Sequence, residues 1–125
     1  MIIVNAIIIE KGKILTVKRN KEPYRGMYGL PGGHVEVGET KKVALIRELK
    51  EETNSEIEII SYLGKLRNNG NDVYFYKSNI VSSKPFKENS EIKELKWLKI
   101  EKFIKNLRDY KVDNLENIEK IMKKL

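Results

Sequence analysis

The stretch from Gly33 to Ser55 constrains the fold more than any other part of the chain. Its second half has helical spacing, with Glu48, Glu51 and Glu52 at positions i, i+3 and i+4. In a helix these three side chains share one face and cover an arc of roughly 100°. The opposite face is available for burial, through Leu45, Ile46, Leu49 and Thr53. The stretch therefore predicts a helix with one acidic face and one buried face.

The acidic face is unfavourable without a counter-charge. Neighbouring carboxylates repel each other, and each Glu–Glu pair at this spacing costs roughly a few tenths of a kcal/mol. The three acids also lie in the last turns of the predicted helix, where the helix dipole favours cations. A divalent metal ion is the simplest counter-charge, so the spacing indicates a metal site.

Composition limits the class of protein. A chain of 125 residues fits one domain, residues 1–125, with a core of its own. The absence of cysteine excludes disulfides, zinc–thiolate sites and thiol nucleophiles. The first residues lack the basic segment and cleavage site of a signal peptide, and no apolar run approaches the ~20 residues needed to span a bilayer. We therefore expect a cytoplasmic protein with no membrane association.

The net charge of +7 lies outside the acidic stretch, because residues 33–55 carry five acids and four bases. Two interpretations are open. The lysines form a solvated surface, or a basic surround attracts polyanions to the acidic site. Charge alone does not decide between them.

The rest of the pattern predicts an α/β or α+β domain with a mixed sheet covered by helices. Two hairpins are expected, at Lys11-Gly12 and at Asn69-Gly70. The predicted strands cover 2–9, 13–18, 34–37, 57–66, 73–81 and 95–98. The predicted helices run from the N-cap Thr40 to Thr53 and over 100–107 and 112–125. The last helix has an apolar stripe suited to packing, made of Leu115, Ile118, Met122 and Leu125.

The segment as a whole resembles the signature of Nudix hydrolases. That signature is Gly, five residues, Glu, seven residues, then Arg-Glu-aliphatic-any-Glu-Glu-any-Gly-aliphatic. Both gaps are intact here, and the matching residues are Gly33, Glu39, Arg47, Glu48, Leu49, Glu51 and Glu52. Asn54 stands in place of the final Gly and Ser55 in place of the aliphatic residue. Neither departure changes an acidic position.

The resemblance implies an α/β/α sandwich with a mixed β-sheet. It also implies hydrolysis of a nucleoside diphosphate linked to a further group, by a metal-activated water. The expected cofactor is Mg²⁺, with Mn²⁺ as a substitute. The resemblance implies that the metal is bound by the carboxylates of three signature glutamates and by one backbone carbonyl. These ligands are Glu48, Glu51, Glu52 and the Gly32 carbonyl.

Further residues receive roles from the same resemblance. Arg47 is expected to pair with a neighbouring glutamate and orient it. Glu39, which precedes the helix in sequence, is expected to be a structural partner of the site residues. The general base is a glutamate of the signature, Glu48 or Glu52, or one from the later group Glu88, Glu91 and Glu94, among which we favour Glu91. The expected substrate contacts are Lys18, Arg19, Tyr28, Gly32 and Gly33.

The substrate stays open at this stage. Markers of the ADP-ribose and dinucleoside-polyphosphate branches are absent from 69–71, which leaves a nucleoside triphosphate by elimination. One alternative is removal of pyrophosphate from RNA 5′ ends, and another is a catalytically silent nucleotide-binding module. The sequence fits a monomer or a homodimer.

Overall fold

Two four-stranded sheets and three helices form the structure, a computed structural model that describes residues 1–125. The elements in chain order are β1 Ile2–Ile7, β2 Ile9–Glu10, β3 Lys13–Arg19, β4 Tyr28–Gly29, β5 Gly32–His34, α1 Lys41–Thr53, β6 Ser55–Asn68, β7 Asn71–Ser83, β8 Ile92–Lys99, α2 Ile100–Asp109 and α3 Leu115–Met122.

The first sheet is mixed and has the strand order β5-β1-β7-β6. Strands β1 and β7 run parallel, whereas the β1–β5 and β6–β7 pairs are antiparallel. In the second sheet β3 pairs antiparallel with β2, β4 and β8. The predicted α/β class with a mixed sheet is confirmed, and residues of the second, antiparallel sheet share both core clusters with it.

The β1 strand explains why the N-terminal run is almost wholly apolar. Successive side chains of a strand point to opposite faces. Val4 and Ala6 pack in the cluster with α1, whereas Ile7 packs in the second cluster with α2 and α3. Because both faces of β1 are covered, the strand needs apolar residues at nearly every position.

The α1 helix has the predicted ends. The Thr40 hydroxyl accepts a hydrogen bond from the Val43 N–H at 3.2 Å, and Asn54 takes the left-handed conformation with φ 57°. One predicted core residue is wrong, because Ile46 is 40% exposed. Ala44 is buried in its place, so the buried residues of the helix are Ala44, Leu45, Leu49 and Thr53.

Other boundaries also differ from the prediction, among them β8, which extends over Ile92–Lys99, and α3, which begins at Leu115. The strand expected at 34–37 lies at Gly32–His34, because the glycine pair itself forms the ladder with β1. The long hairpin extends to Ser55–Asn68 and Asn71–Ser83, with Asn69 and Gly70 at positive φ in its turn. In the last helix Ile121 is buried, whereas Leu125 is 37% exposed and lies beyond the helix end.

None of the three helices combines the length and the apolar character that a bilayer-spanning segment requires.

Candidate active site

A cavity of about 520 Å³ is lined by both sheets and by residues of all three helices. Its two ends differ in chemistry. The acidic end is formed by Arg19, Gly32, Gly33, Glu48, Glu52 and Glu91. The apolar end is formed by Leu66, Asn68, Val73, Phe75, Phe103, Leu107 and Ile118. Because β5 and β6 are the two edges of the first sheet, these ends lie on opposite sides of one cleft.

The glycine turn allows the backbone to approach its neighbours closely. A Cβ on Gly32, whose φ is +156°, would lie 1.9 Å from the Val4 carbonyl oxygen. A Cβ on Gly33 would lie 2.4 Å from the carboxyl carbon of Glu48. Only glycine at these positions lets β5 pair with β1 while the Glu48 carboxylate rests on the β5 backbone.

Glu52 is partly buried at the acidic end and is tied to the glycine turn. Its Oε1 accepts a hydrogen bond from the Gly32 N–H at 2.7 Å. Burial raises the pKa of the Glu52 carboxyl to about 8, the Gly32 hydrogen bond opposes the rise, and the charges of Glu48 and Glu91 add to it. A carboxylate in this position is stabilised by any cation that shares the cavity.

Arg47 organises the acidic face. Its guanidinium donates to both carboxylate oxygens of Glu39, at 2.7 and 2.9 Å. The same side chain donates to Glu48 at 3.1 Å, to Glu51 at 3.2 Å and to the His34 carbonyl at 3.1 Å. The predicted pairing of Arg47 with neighbouring glutamates is confirmed, and it offsets repulsion along the helix face.

The carboxyls around Arg47 titrate differently. Hydrogen bonds from Arg47, followed by one from the Glu36 N–H, lower the pKa of Glu39 to about 2. Burial raises the pKa of Glu48, although its contact with Arg47 opposes the shift. The Glu39 carboxyl therefore stays ionised to a lower pH than the Glu48 carboxyl does.

The donor set matches a hard divalent cation in chemistry. Glu48, Glu52 and Gly32 line the same cavity and offer only oxygen ligands, which Mg²⁺ prefers. No group of three or more acidic or histidine side chains is arranged to hold a metal ion. The Glu51 side chain is 59% exposed and accepts a hydrogen bond from Arg47. Two of the three predicted carboxylates, Glu48 and Glu52, thus line the cavity, whereas Glu51 does not.

Residues distant in sequence join the acidic end. Glu91, which lies just before β8, lines the same cavity as Glu48 and Glu52. Its Oε1 accepts a hydrogen bond from Lys21 Nζ at 3.0 Å. Arg19 also lines the cavity, and its Nε donates to the Pro23 carbonyl at 2.7 Å. The fold therefore brings Glu91, the candidate base, and the positive charge of Arg19 to the same cavity as the signature glutamates.

Lys18 and Tyr28 do not line the cleft. Neighbouring strand residues point to opposite faces, so Lys18 turns away when Arg19 faces the cavity. The Tyr28 hydroxyl donates to Glu94 Oε1 at 2.5 Å, and Lys18 Nζ lies 4.0 Å from the same oxygen. The hydrogen bond to Glu94, with some burial, raises the pKa of Tyr28 to about 12. The predicted substrate contacts of Lys18 and Tyr28 are not supported by this arrangement.

Sequence reasoning missed the asparagines of the cleft. Asn5 and Asn68 both line it, and neither belongs to the signature. A signal for Asn5 was present, since it is the lone polar residue in the apolar run of β1. Asn68 had no such signal, because its neighbourhood reads as a polar turn.

Comparisons with known proteins agree on the family. A family model described as "NUDIX domain" matches residues 1–120. Over 61 residues, 49% of this chain, the sequence is 48% identical to an ADP-ribose pyrophosphatase of Methanocaldococcus jannaschii. The match covers 36% of that protein, so the chain spans about a third of the length of this curated relative.

Solved structures show the same architecture. A NUDIX hydrolase from Nitrosomonas europaea superposes with a TM-score of 0.84 at 22% identity, covering 98% of this chain and 87% of that one. A MutT NUDIX hydrolase from Burkholderia pseudomallei has a TM-score of 0.73 at 27% identity, with 80% and 83% covered. At 22% identity, the likeness to the Nitrosomonas structure shows a shared fold only.

Proposed function

Since the chain belongs to the Nudix family, we propose that it hydrolyses a pyrophosphate bond in a nucleoside diphosphate linked to a further group. The observation that supports this most directly is the acidic end of the cleft. There Glu48 and Glu52 of the signature helix lie against the Gly32-Gly33 backbone in one cavity. Such a site suits a substrate whose reacting group is a chain of phosphates.

The cofactor that we propose is Mg²⁺, with Mn²⁺ as a substitute. Glu48, Glu52 and the Gly32 carbonyl would hold it, joined by Glu51 once that side chain leaves Arg47. When bound, a cation of this kind lowers the pKa of a water molecule and neutralises phosphate oxygens.

The protein's own groups have separate tasks in this proposal. Arg19 supplies positive charge for the phosphates at the cavity wall. Arg47 is a positioning residue, because it fixes Glu39 and Glu48 without lining the cavity. Glu91 is the proposed base. Its 54% exposed carboxylate can accept a proton from the attacking water and pass it to solvent.

Two substrate classes compete. The sequence leaves a nucleoside triphosphate by elimination, whereas the 48% identity to a Methanocaldococcus ADP-ribose pyrophosphatase over half the chain favours ADP-ribose. Both have a nucleotide at one end and a pyrophosphate that suits the acidic end. ADP-ribose is therefore the first substrate to test, with nucleoside triphosphates beside it.

The test is a hydrolysis assay of the pure protein with ADP-ribose, nucleoside triphosphates, nucleotide sugars and triphosphorylated RNA, with Mg²⁺, Mn²⁺ or EDTA. We expect one class to be cleaved with either metal and none in EDTA. Glu52→Gln should lower kcat/KM by roughly a thousandfold or more. Glu58→Gln, the same change at an exposed residue outside the cleft, should have no effect.

Lack of turnover on the whole panel, with no Mg²⁺ binding by calorimetry, would overturn the enzymatic proposal. Equal activity of the wild type and Glu52→Gln would instead overturn only the role of Glu52.

A further inference from the structure

Asn5 is the one polar residue of strand β1, and its side chain faces the cleft. Strand residues alternate between the two faces of a sheet, and Val4 and Ala6 pack in the cluster with α1. Asn5 therefore lies on the other face, between Ile3 and Ile7. Asparagine is disfavoured in strands, whereas Val and Ile are favoured. Its presence in an otherwise apolar strand has no explanation in packing.

The Asn5 amide has unused hydrogen-bonding capacity. It forms no hydrogen bond within the protein, and its polar atoms are not buried, because Asn68 Oδ1 is the one buried side-chain polar atom without a partner. The amide is therefore accessible from the cavity that Asn5 lines. An asparagine side chain offers two N–H donors and one carbonyl acceptor, so this residue can bind a ligand.

Asn5 lies directly beside the glycine turn. It is the cross-strand partner of Gly32 in the β1–β5 ladder. The Ala6 N–H donates to the Pro31 carbonyl at 2.9 Å. Because the two kinds of antiparallel pair alternate, Asn5 and Gly32 form a non-hydrogen-bonded pair, with Cα atoms about 4.5 Å apart. The Asn5 amide is thus next to the residue whose N–H donates to Glu52.

The nitrogen of the Asn5 amide is turned away from the glycine turn. A Cβ on Gly32 would lie 2.5 Å from Asn5 Oδ1, so the oxygen is the amide atom nearest to that backbone. A carbonyl oxygen accepts a weak hydrogen bond from a Cα–H group, whereas an N–H at the same place would point at carbon. This orientation leaves the Nδ2 group as a donor for the cavity.

The acidic end of the cleft has more carboxylates than cations for an anionic substrate. The charged groups that line it are Glu48, Glu52 and Glu91, with Arg19, Lys21 and no further cation. Lys21 already pairs with Glu91 at 3.0 Å. A hydrogen bond from a neutral amide to a phosphate oxygen is charge-assisted. Such a donor stabilises a phosphate group beside carboxylates.

We propose that Asn5 is a substrate-binding residue whose Nδ2 donates a hydrogen bond to a non-bridging oxygen of a pyrophosphate at the glycine turn. The ligand class is a pyrophosphate group, and the contact does not depend on the nucleoside attached to it. This inference rests on the proposed function, because it adds a contact to the same substrate.

The test measures binding of imidodiphosphate, an analogue of pyrophosphate in which NH replaces the bridging oxygen. Calorimetry with Mg²⁺ present compares the wild type with Asn5→Leu and Asn5→Ala. Leucine keeps the shape of asparagine without its polar atoms, whereas alanine leaves the space open, so a loss shared by both is not steric. We expect both variants to bind roughly ten- to hundredfold more weakly, because a hydrogen bond to a charged group is lost.

Three controls separate a substrate contact from other roles. Asn79→Leu, the same change at an exposed position of β7 outside the cleft, should bind imidodiphosphate as the wild type does. The affinity for Mg²⁺ alone should be the same in Asn5→Leu and the wild type. The Tm of Asn5→Leu should be no lower than that of the wild type, since leucine joins Ile3 and Ile7 on the same face of β1.

Wild-type affinity for imidodiphosphate in Asn5→Leu would overturn the inference, and so would a wild type that does not bind imidodiphosphate. A fall in Mg²⁺ affinity or in Tm together with the loss of binding would also overturn it, because Asn5 would then support the metal site or the fold. None of these results touches the proposed hydrolysis, which the substrate panel tests separately. Conversely, a protein that binds imidodiphosphate through Asn5 but cleaves nothing would retain this inference and lose the proposed function.

Discussion

The two ends of the cleft are built in different ways. At the acidic end, Gly33, Arg47, Glu48 and Glu52 all come from one continuous stretch, Gly33 to Ser55. At the apolar end, the lining residues come from β6, β7, α2 and α3, which are distributed over half the chain. Most of the acidic end is thus encoded locally, with Arg19 and Glu91 added by the fold, whereas the apolar end is brought together only by the complete fold.

The ends also differ in how their polar groups are satisfied. At the acidic end Glu48, Glu52 and Arg47 have hydrogen-bond partners within the protein. At the apolar end the buried acceptor of Asn68 has none. The first arrangement holds the side chains that we propose for the chemistry in place within the protein itself.

The largest effect in this comparison is expected from Gly33→Ala. The added methyl group would lie 2.4 Å from the Glu48 carboxyl carbon, so the carboxylate must move. A displacement of about 1 Å at a reacting group costs roughly a hundredfold in rate. Steady-state kinetics should show that loss in kcat/KM.

Gly29→Ala is the matched control for Gly33→Ala. Its new Cβ would meet only the Met27 Cε, at 3.6 Å, which is ordinary van der Waals contact. If Gly33→Ala retained full activity, Glu48 would not depend on the close approach of the β5 backbone.

A smaller loss is expected from Arg47→Lys. Lysine keeps the charge but cannot donate to both oxygens of Glu39 and to Glu48 at once. Loss of such a supporting contact lowers activity or metal affinity by roughly ten- to a hundredfold. Titration of the activity with Mg²⁺ should show that Arg47→Lys needs a higher Mg²⁺ concentration for half-maximal activity. Full activity at the wild-type Mg²⁺ requirement would show that Arg47 does not position the carboxylates.

The same ion pair predicts a pH dependence of stability. Arg47 lowers the pKa of Glu39 from 4.5 to about 2. A lowered carboxyl pKa contributes stability that is fully present above 4.5 and is lost as the pH falls through about 2. The Tm difference between wild type and Glu39→Gln should be constant above 4.5 and shrink below it. A difference that does not change over that range would contradict the pairing.

The contrast between the ends also explains what the sequence could predict. Thr40, Asn54 and the spacing of the glutamates are local signals, and they predict the α1 helix with its correct bounds. The cavity position of Glu91 depends on β8 pairing with β3, and that of Asn68 on the β6–β7 register. No local pattern contains such pairings. Lys18 and Tyr28 show the same limit, because the face of β3 that meets the cleft is set by the sheet.

The smallest effect is expected from Tyr28→Phe. Tyr28 pairs with Glu94 and does not line the cavity. Removal of its hydroxyl should therefore leave kcat/KM unchanged. Its titration gives an independent readout, since the hydrogen bond to Glu94 raises the pKa of Tyr28 to about 12. Difference absorbance against Tyr28→Phe should show one tyrosine ionising near that value. A loss of activity in Tyr28→Phe would instead place Tyr28 in contact with substrate and extend the binding site beyond the cleft.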